Sequence, residues 1–194
     1  MSNQHFHVIT GASGSGKSTL IAALGELGYS TVPEAALAFM REQLGCNGKT
    51  LPITDRTAFM EAVLARSIQD YEVAKSLQTP VFFDRGIPEW LRLLNSSESN
   101  CQVAAQCRYA RTVFVAEPWP EIYVRDHERT HSFDRAAKSY VPTIAAYVQS
   151  GYETCVLPKV SVQERVAFIL AQVGAGAQQI AAADRHPATR TVGG

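Results

Sequence analysis

One short segment near the N-terminus constrains this chain more than any other. Gly11-Ala12-Ser13-Gly14-Ser15-Gly16-Lys17-Ser18 fits the pattern G-x-x-x-x-G-K-[ST] at every position. Glycines let the backbone turn tightly, so that several N–H groups point inward at one phosphate. A helix that opens behind such a turn adds its own unpaired N–H groups and the positive end of its dipole. Lys17 is placed to reach the β- and γ-phosphates, and the Ser18 hydroxyl is placed for Mg2+. The surroundings fit this chemistry. Phe6 to Thr10 is a short apolar run of the kind a buried strand needs. Thr19 to Leu27 carries Leu20, Ile21, Leu24 and Leu27 at helical spacing and stops at Gly28. The expected nucleotide-binding residues are Gly11, Ala12, Ser13, Gly14, Ser15, Gly16, Lys17, Ser18 and Thr19.

The rest of the chain alternates in the same way. Strands are predicted at 29–32, 81–84, 112–116 and 154–157. Helices are predicted at 35–44, from Thr54 or Asp55 to about Leu77, at 89–94, 102–109 and 133–150, and from the capping box Ser161-Val162-Gln163-Glu164 to about Val173. Pro142 should kink or split the helix at 133–150. Strands alternating with helices imply parallel βαβ units and an α/β fold with a doubly wound sheet. All five strands are short, apolar and non-alternating, the form expected of strands covered on both faces. Residues 1–174 read as one domain. Residues 175–194 read as a flexible C-terminal tail, although the alanines at 181–183 leave its boundary open.

Composition narrows the partners. Lys plus Arg number 18 and Asp plus Glu number 18 in 194 residues, for a formal net charge of zero. No global basic field exists to hold nucleic acid or an anionic membrane. No apolar run approaches the ~20 residues of a membrane span, and no secretory signal is visible, so a cytoplasmic protein is expected. The cysteines at 46, 101, 107 and 155 form no C-x-x-C pair, and free thiols are the expectation.

Two acids and a group of arginines complete the candidate site. Val81-Phe82-Phe83-Asp84 is an apolar strand ending in an acid. Such an acid lies at the carboxyl edge of a parallel sheet, beside the phosphates. Asp84 is therefore the second expected Mg2+ residue after Ser18, and Arg85 is a candidate phosphate or substrate contact. Glu34, just after the second strand, is a candidate general base or outer Mg2+ partner. A helix-terminal acid held by the dipole is its plainer reading. Arg125 and Arg129, with Arg135 farther on, lie in a stretch dense in charge. They are expected either to close as a lid over the transferring phosphoryl group or to form a salt-bridged exposed face. His127 and His131 have no evident third ligand for a metal.

With these residues placed, the chain resembles small P-loop kinase-type proteins. It is most similar to the small predicted ATPases labelled AAA-type and grouped with the nicotinamide-riboside kinase domain of the bacterial NAD regulator. The resemblance covers about residues 6–173. It rests on Gly11–Ser18, Val32-Pro33-Glu34-Ala35-Ala36, Phe82-Phe83-Asp84-Arg85-Gly86, Pro118-Trp119-Pro120-Glu121, and Gly151-Tyr152 leading to Leu157-Pro158. Deoxynucleoside kinases are more distantly similar. They carry a base Glu where Glu34 stands and a Glu-Arg-Ser segment where this chain has Asp84-Arg85-Gly86. The resemblance implies a P-loop NTPase three-layer sandwich with strand order 2-3-1-4-5.

The expected function is a kinase that passes the γ-phosphoryl group of ATP, with Mg2+, to a small-metabolite acceptor, a nucleoside-like molecule being one candidate. Lys17, Glu34, Asp84, Arg85, Arg125 and Arg129 are its expected catalytic residues. The alternative is a regulatory ATPase switch with a protein partner. A homo-oligomer fits either reading.

Overall fold

Phe6–Gly11 (β1), Val81–Asp84 (β3) and Thr112–Ala116 (β4) are short apolar runs, and they form the centre of a parallel sheet. They do so in a computed structural model that describes residues 3–45, 54–94, 102–103, 105–124 and 132–183. Ser30–Val32 (β2) and Glu153–Val156 (β5) add the two edges. The order is β2-β3-β1-β4-β5, as the resemblance implies, and every pair is parallel.

The period of two along the central strands divides the side chains between two cores. Phe6, Val8, Val81, Phe83, Val113 and Val115 point to one face. Ile9, Phe82, Phe114 and Ala116 point to the other. The first face is covered by Arg56–Ala74 (α3), Ile87–Leu94 (α4) and Phe133–Gln149 (α5), with Ala35–Gly45 (α2) packed on α3. The second face is covered by Lys17–Glu26 (α1) and Val162–Ala183 (α6), through Leu20, Leu24, Val166 and Ile169. Helices on both faces make three layers.

Three expectations are corrected, and of the two outcomes expected at Pro142 the split is removed. The edge strands are not covered on both faces. Val156 is 49% exposed and β2 is only half-buried, because an edge strand has one neighbour and less helix above it. Pro142 does not split the helix at 133–149. It faces solvent, as does Lys138 one turn earlier, so water can reach the carbonyl that the proline leaves without a donor. The helix expected at 102–109 is shorter: residues 102–103 and 105–106 are helical, and 108–110 are not. The last helix runs past Val173 to Ala183. Its alanines and glutamines have high helix propensity, which outweighs Gly174 and Gly176. Residues 184–194 of the expected tail lie outside the described residues. No described helix is long and apolar enough to cross a membrane. Cys107 and Cys155 are free thiols, while Cys46 and Cys101 lie outside the described residues.

One strand residue carries a pH signature. His7 on β1 points into the second core, with its ring 5.5 Å from Phe82 and 6.5 Å from Phe114. Burial, then the nearby His5, lowers its pKa from 6.5 to about 4. Between those two values the unfolded chain binds a proton at this site that the folded chain refuses. Stability is therefore full above pH 6.5 and is lost as pH falls toward 4. His7→Phe should remove on the order of 2–3 kcal/mol of the stability lost between pH 7 and pH 4.5, as measured by urea unfolding at both values. Equal losses in parent and variant would show that His7 plays no part.

Candidate active site

The phosphate loop is built by three backbone turns. Gly14 and Gly16 have φ of 73° and 80°, in the left-handed region that glycine enters without strain. Gly11 ends β1 with φ of 129°, and a Cβ there would lie 2.0 Å from the Ala116 carbonyl oxygen. The loop therefore starts against β4, and the Ala12 N–H donates to that same carbonyl at 3.0 Å. Lys17 opens α1 and is buried. Its Nζ donates to the Ala12 carbonyl at 2.6 Å, and the Ser15 hydroxyl donates to it at 2.8 Å. Burial, then the Arg85 charge, lowers the Lys17 pKa to about 8, against the pull of Asp84, Glu34 and Glu89.

Asp84 ends β3 beside Ile9 in the parallel register, so its carboxylate emerges under the loop. The Ser18 hydroxyl donates to its Oδ2 at 3.0 Å, and its Oδ1 is buried with no hydrogen-bond partner among the described residues. Burial, then the Glu34 charge, raises its pKa above the usual carboxylate range. A buried acceptor without a donor is costly in a folded protein and marks a place where another group fits.

Arg85 follows with φ of 69°, left-handed for a residue that has a Cβ. That conformation costs on the order of 1 kcal/mol or more and persists where the surroundings over-determine it. Two hydrogen-bond acceptors and one ion-pair partner do so. The guanidinium Nη1 donates to the Gly11 carbonyl at 3.2 Å and to Glu89 Oε1. The Arg85 Nε lies 3.0 Å from Glu34 Oε2, close enough for an ion pair but too poorly aligned for a hydrogen bond. Burial opposes the Arg85 charge, but Glu34, Glu89 and Asp84 together hold it protonated.

Glu34 sits between β2 and α2, and parallel pairing of β2 with β3 brings it to the same sheet edge as Asp84. A cleft of about 130 Å³, open to solvent, is lined by Gly16, Lys17, Ser18, Glu34, Arg85 and Ile122, among others. A second, much smaller cleft of about 10 Å³ adjoins it at Arg85 and is lined by Val32, Ser67, Asp70, Trp90 and Tyr109 as well.

The structure brings Lys17, Ser18, Glu34, Asp84 and Arg85 together at one sheet edge. Arg125, Arg129, His127 and His131 lie outside the described residues, and Arg135 is exposed on α5. Sequence reasoning missed three supporting residues. Glu89 is buried and joins Arg85 to the Thr10 hydroxyl, which donates to Glu89 Oε2 at 2.9 Å. Its i, i+4 spacing from Arg85 was the available signal. The Tyr147 hydroxyl accepts from the Gly86 N–H at 2.8 Å, and Arg165 reaches the loop from α6. Neither has a local sequence signal.

A parallel sheet in the order 2-3-1-4-5, with a phosphate loop after β1 and an acid ending β3, defines a P-loop kinase-like α/β protein. More particularly, a family model described as an AAA domain matches residues 6–165, and the chain belongs to that AAA domain family. Its fold is similar to that of deoxyadenosine kinase from M. mycoides with bound dATP, at a TM-score of 0.60 and 17% identity over 87% of this chain and 99% of that one. Thymidylate kinase from Ehrlichia chaffeensis is similar at 0.54 and 16% identity, over 87% and 98% of the two chains. Shikimate kinase from Aquifex aeolicus is similar at 0.52 and 15%, over 89% and 98%. No curated protein matches the chain closely enough to count as a relative.

Proposed function

We propose that the protein is a kinase that binds ATP through Gly11–Thr19 and transfers the γ-phosphoryl group to a small-molecule acceptor. The observation that carries this reading is that Lys17, Ser18, Glu34 and Arg85 line one cleft. Phosphate-holding groups and a carboxylate able to take a proton face the same space. The acceptor hydroxyl would give its proton to Glu34 as its oxygen bonds to the γ-phosphorus. The bond from that phosphorus to the β–γ bridging oxygen breaks, and ADP leaves. Lys17 would exchange the Ala12 carbonyl for phosphate oxygens and neutralise charge on the leaving group. Arg85, held by Glu34 and Glu89, lies where the two clefts meet and would steer donor and acceptor into line. Trp90, Tyr109, Ser67 and Asp70 line the smaller cleft beside Arg85, which has room for about one water, so an acceptor reaching these residues would have to widen it.

Ser18 and Asp84 are the residues that would hold Mg2+. The unpartnered Asp84 Oδ1 fits that role. Among the described residues no group of three or more His, Cys, Asp or Glu side chains could hold a metal, so the remaining ligands would be water and phosphate oxygens, as Mg2+ prefers. The ion would supply charge neutralisation at the phosphates.

ATP with Mg2+ should raise the melting temperature. A ligand at one hundred times its Kd adds about 2.7 kcal/mol, roughly 5–10 °C for a chain of this size. Lys17→Ala should remove most of that gain and leave the fold intact. Equal shifts in parent and variant would overturn the phosphate-loop assignment. Incubation of the protein with a metabolite pool and ATP·Mg2+, read by mass spectrometry, should reveal a phosphorylated product. No product, with ATP hydrolysis that responds to a protein partner, would favour the regulatory switch instead.

A further inference from the structure

Arg165 is a buried cation with no carboxylate paired to it among the described residues. It stands in the first turns of α6, far along the chain from the phosphate loop, yet its side chain ends against that loop. One guanidinium nitrogen donates to the Ser15 carbonyl at 3.2 Å, across 150 residues of sequence. The same nitrogen lies 3.0 Å from where a Cβ on Gly16 would be, in contact distance of the next residue of the loop. The guanidinium carbon sits 5.7 Å from the centre of the Trp119 ring, within reach of a cation–π contact. Its Nε is buried and has no hydrogen-bond partner among the described residues.

Taking an arginine out of water without an anion beside it is expensive. Lys17 and Arg85, the other buried cations of this site, are surrounded by Asp84, Glu34 and Glu89. Arg165 is not. The ring face of Trp119 and one carbonyl oxygen offset only part of its desolvation. The missing negative charge is the one the loop is shaped to receive.

The hydrogen bond also has a geometric consequence. In a peptide unit the carbonyl and the following N–H point in opposite directions. A carbonyl of Ser15 drawn outward to Arg165 turns the Gly16 N–H inward, toward the phosphate position. Gly16, with its left-handed φ, has little intrinsic preference to hold that orientation by itself.

We propose that Arg165 is a positioning residue for the nucleotide phosphates: it locks the Ser15–Gly16 peptide with its N–H inward and places an uncompensated positive charge beneath the loop. It acts through the loop backbone. Trp119 holds the guanidinium in place from the other side, which gives the Pro118-Trp119-Pro120 segment a function in phosphate binding. The inference rests on the nucleotide-binding reading above, and the experiment separates the two.

Isothermal titration of ATP·Mg2+, ADP·Mg2+ and AMP into the parent, Arg165→Met and Arg165→Lys supplies the test, with melting temperature and circular dichroism recorded without ligand. Loss of a charge-assisted hydrogen bond and its charge should weaken ATP and ADP binding roughly 10- to 100-fold in Arg165→Met. AMP, which has no β-phosphate to sit in the loop, should change little. Arg165→Lys keeps the charge without the planar fork and should fall between. If Arg165→Met does not fold, Arg165→Lys decides by the same ratio of ATP to AMP affinity. Parental affinity for ATP and ADP in a folded variant, or an equal loss for all three nucleotides, would overturn the inference and return Arg165 to a packing role. Failure of the parent itself to bind ATP would overturn the nucleotide reading instead.

Discussion

Glu34→Gln should lower acceptor phosphorylation by about 10²- to 10⁴-fold while ATP·Mg2+ binds almost as it does to the parent. The amide keeps the shape of the side chain and its place against Arg85 Nε, but it cannot take a proton. Glu34 borders the cleft beside Lys17 and Ser18 and is attached to neither, so nucleotide affinity should not depend on its charge to the same degree. Asp84→Asn provides the contrast. Its carboxylate accepts from Ser18 and keeps Oδ1 in reserve, so this change should weaken the Mg2+-dependent part of nucleotide binding first. Steady-state kinetics with the acceptor found in the metabolite screen, beside calorimetry with and without Mg2+, would tell the two acids apart. Unchanged phosphorylation in Glu34→Gln would leave this acid as the partner that orients Arg85 and nothing more. Such a result would not touch the phosphate loop.

Gly11→Ala should be the most damaging single methyl group in the protein. A Cβ at this position would lie 2.0 Å from the carbonyl oxygen of Ala116 and 2.8 Å from its carbon and nitrogen. These are backbone atoms of the neighbouring central strand and cannot swing aside. The φ of 129° is strained for any residue with a side chain, whatever the space. Relief requires β1 and β4 to separate where the Ala12 N–H bonds to Ala116. Overpacking of this kind, combined with backbone strain, belongs to the small class of substitutions that cost about 4 kcal/mol or more. Urea unfolding should show that loss even without nucleotide. Gly28→Ala is a useful control, since φ is also positive there but nothing lies within 4 Å of its Cβ position. Its loss should be the smaller, about 1 kcal/mol from the backbone alone. Equal losses at the two positions would show that the approach of β4 is not what requires a glycine at 11.

Much of the site was legible in the sequence because its chemistry is written in local patterns. The loop glycines, Lys17 and Ser18 fall within one turn of chain. Asp84 and Glu34 were found by a rule of topology, that strand ends in a parallel sheet meet at one edge. That rule needs only the order of strands and helices, which hydrophobic period and turn residues supply. Where local patterns misled, a neighbour was the cause. The edge strands β2, Ser30-Thr31-Val32, and β5, Glu153-Thr154-Cys155-Val156, are more polar than the central strands, and their place at the sheet margins exposes them. Pro142 has the composition of a helix breaker, and only its solvent-facing position lets the helix continue.

The sequence by itself determined the alternation of elements, the phosphate loop and the identity of the acids that end β3 and precede α2. Each depends on residues close together in the chain, where period, spacing and backbone sterics act directly. Tertiary structure alone decided how those groups are held. Glu89 meets Thr10 across 79 residues, Tyr147 meets Gly86 across 61, and Arg165 meets Ser15 across 150. No local propensity favours such pairs. They form because folding brings distant segments into a water-poor space, where a polar group without a partner costs more than the contact gains. The left-handed backbone of Arg85 is of the same kind: the local sequence disfavours it, and the partners gathered from β1, the β2–α2 junction and α4 hold it in place.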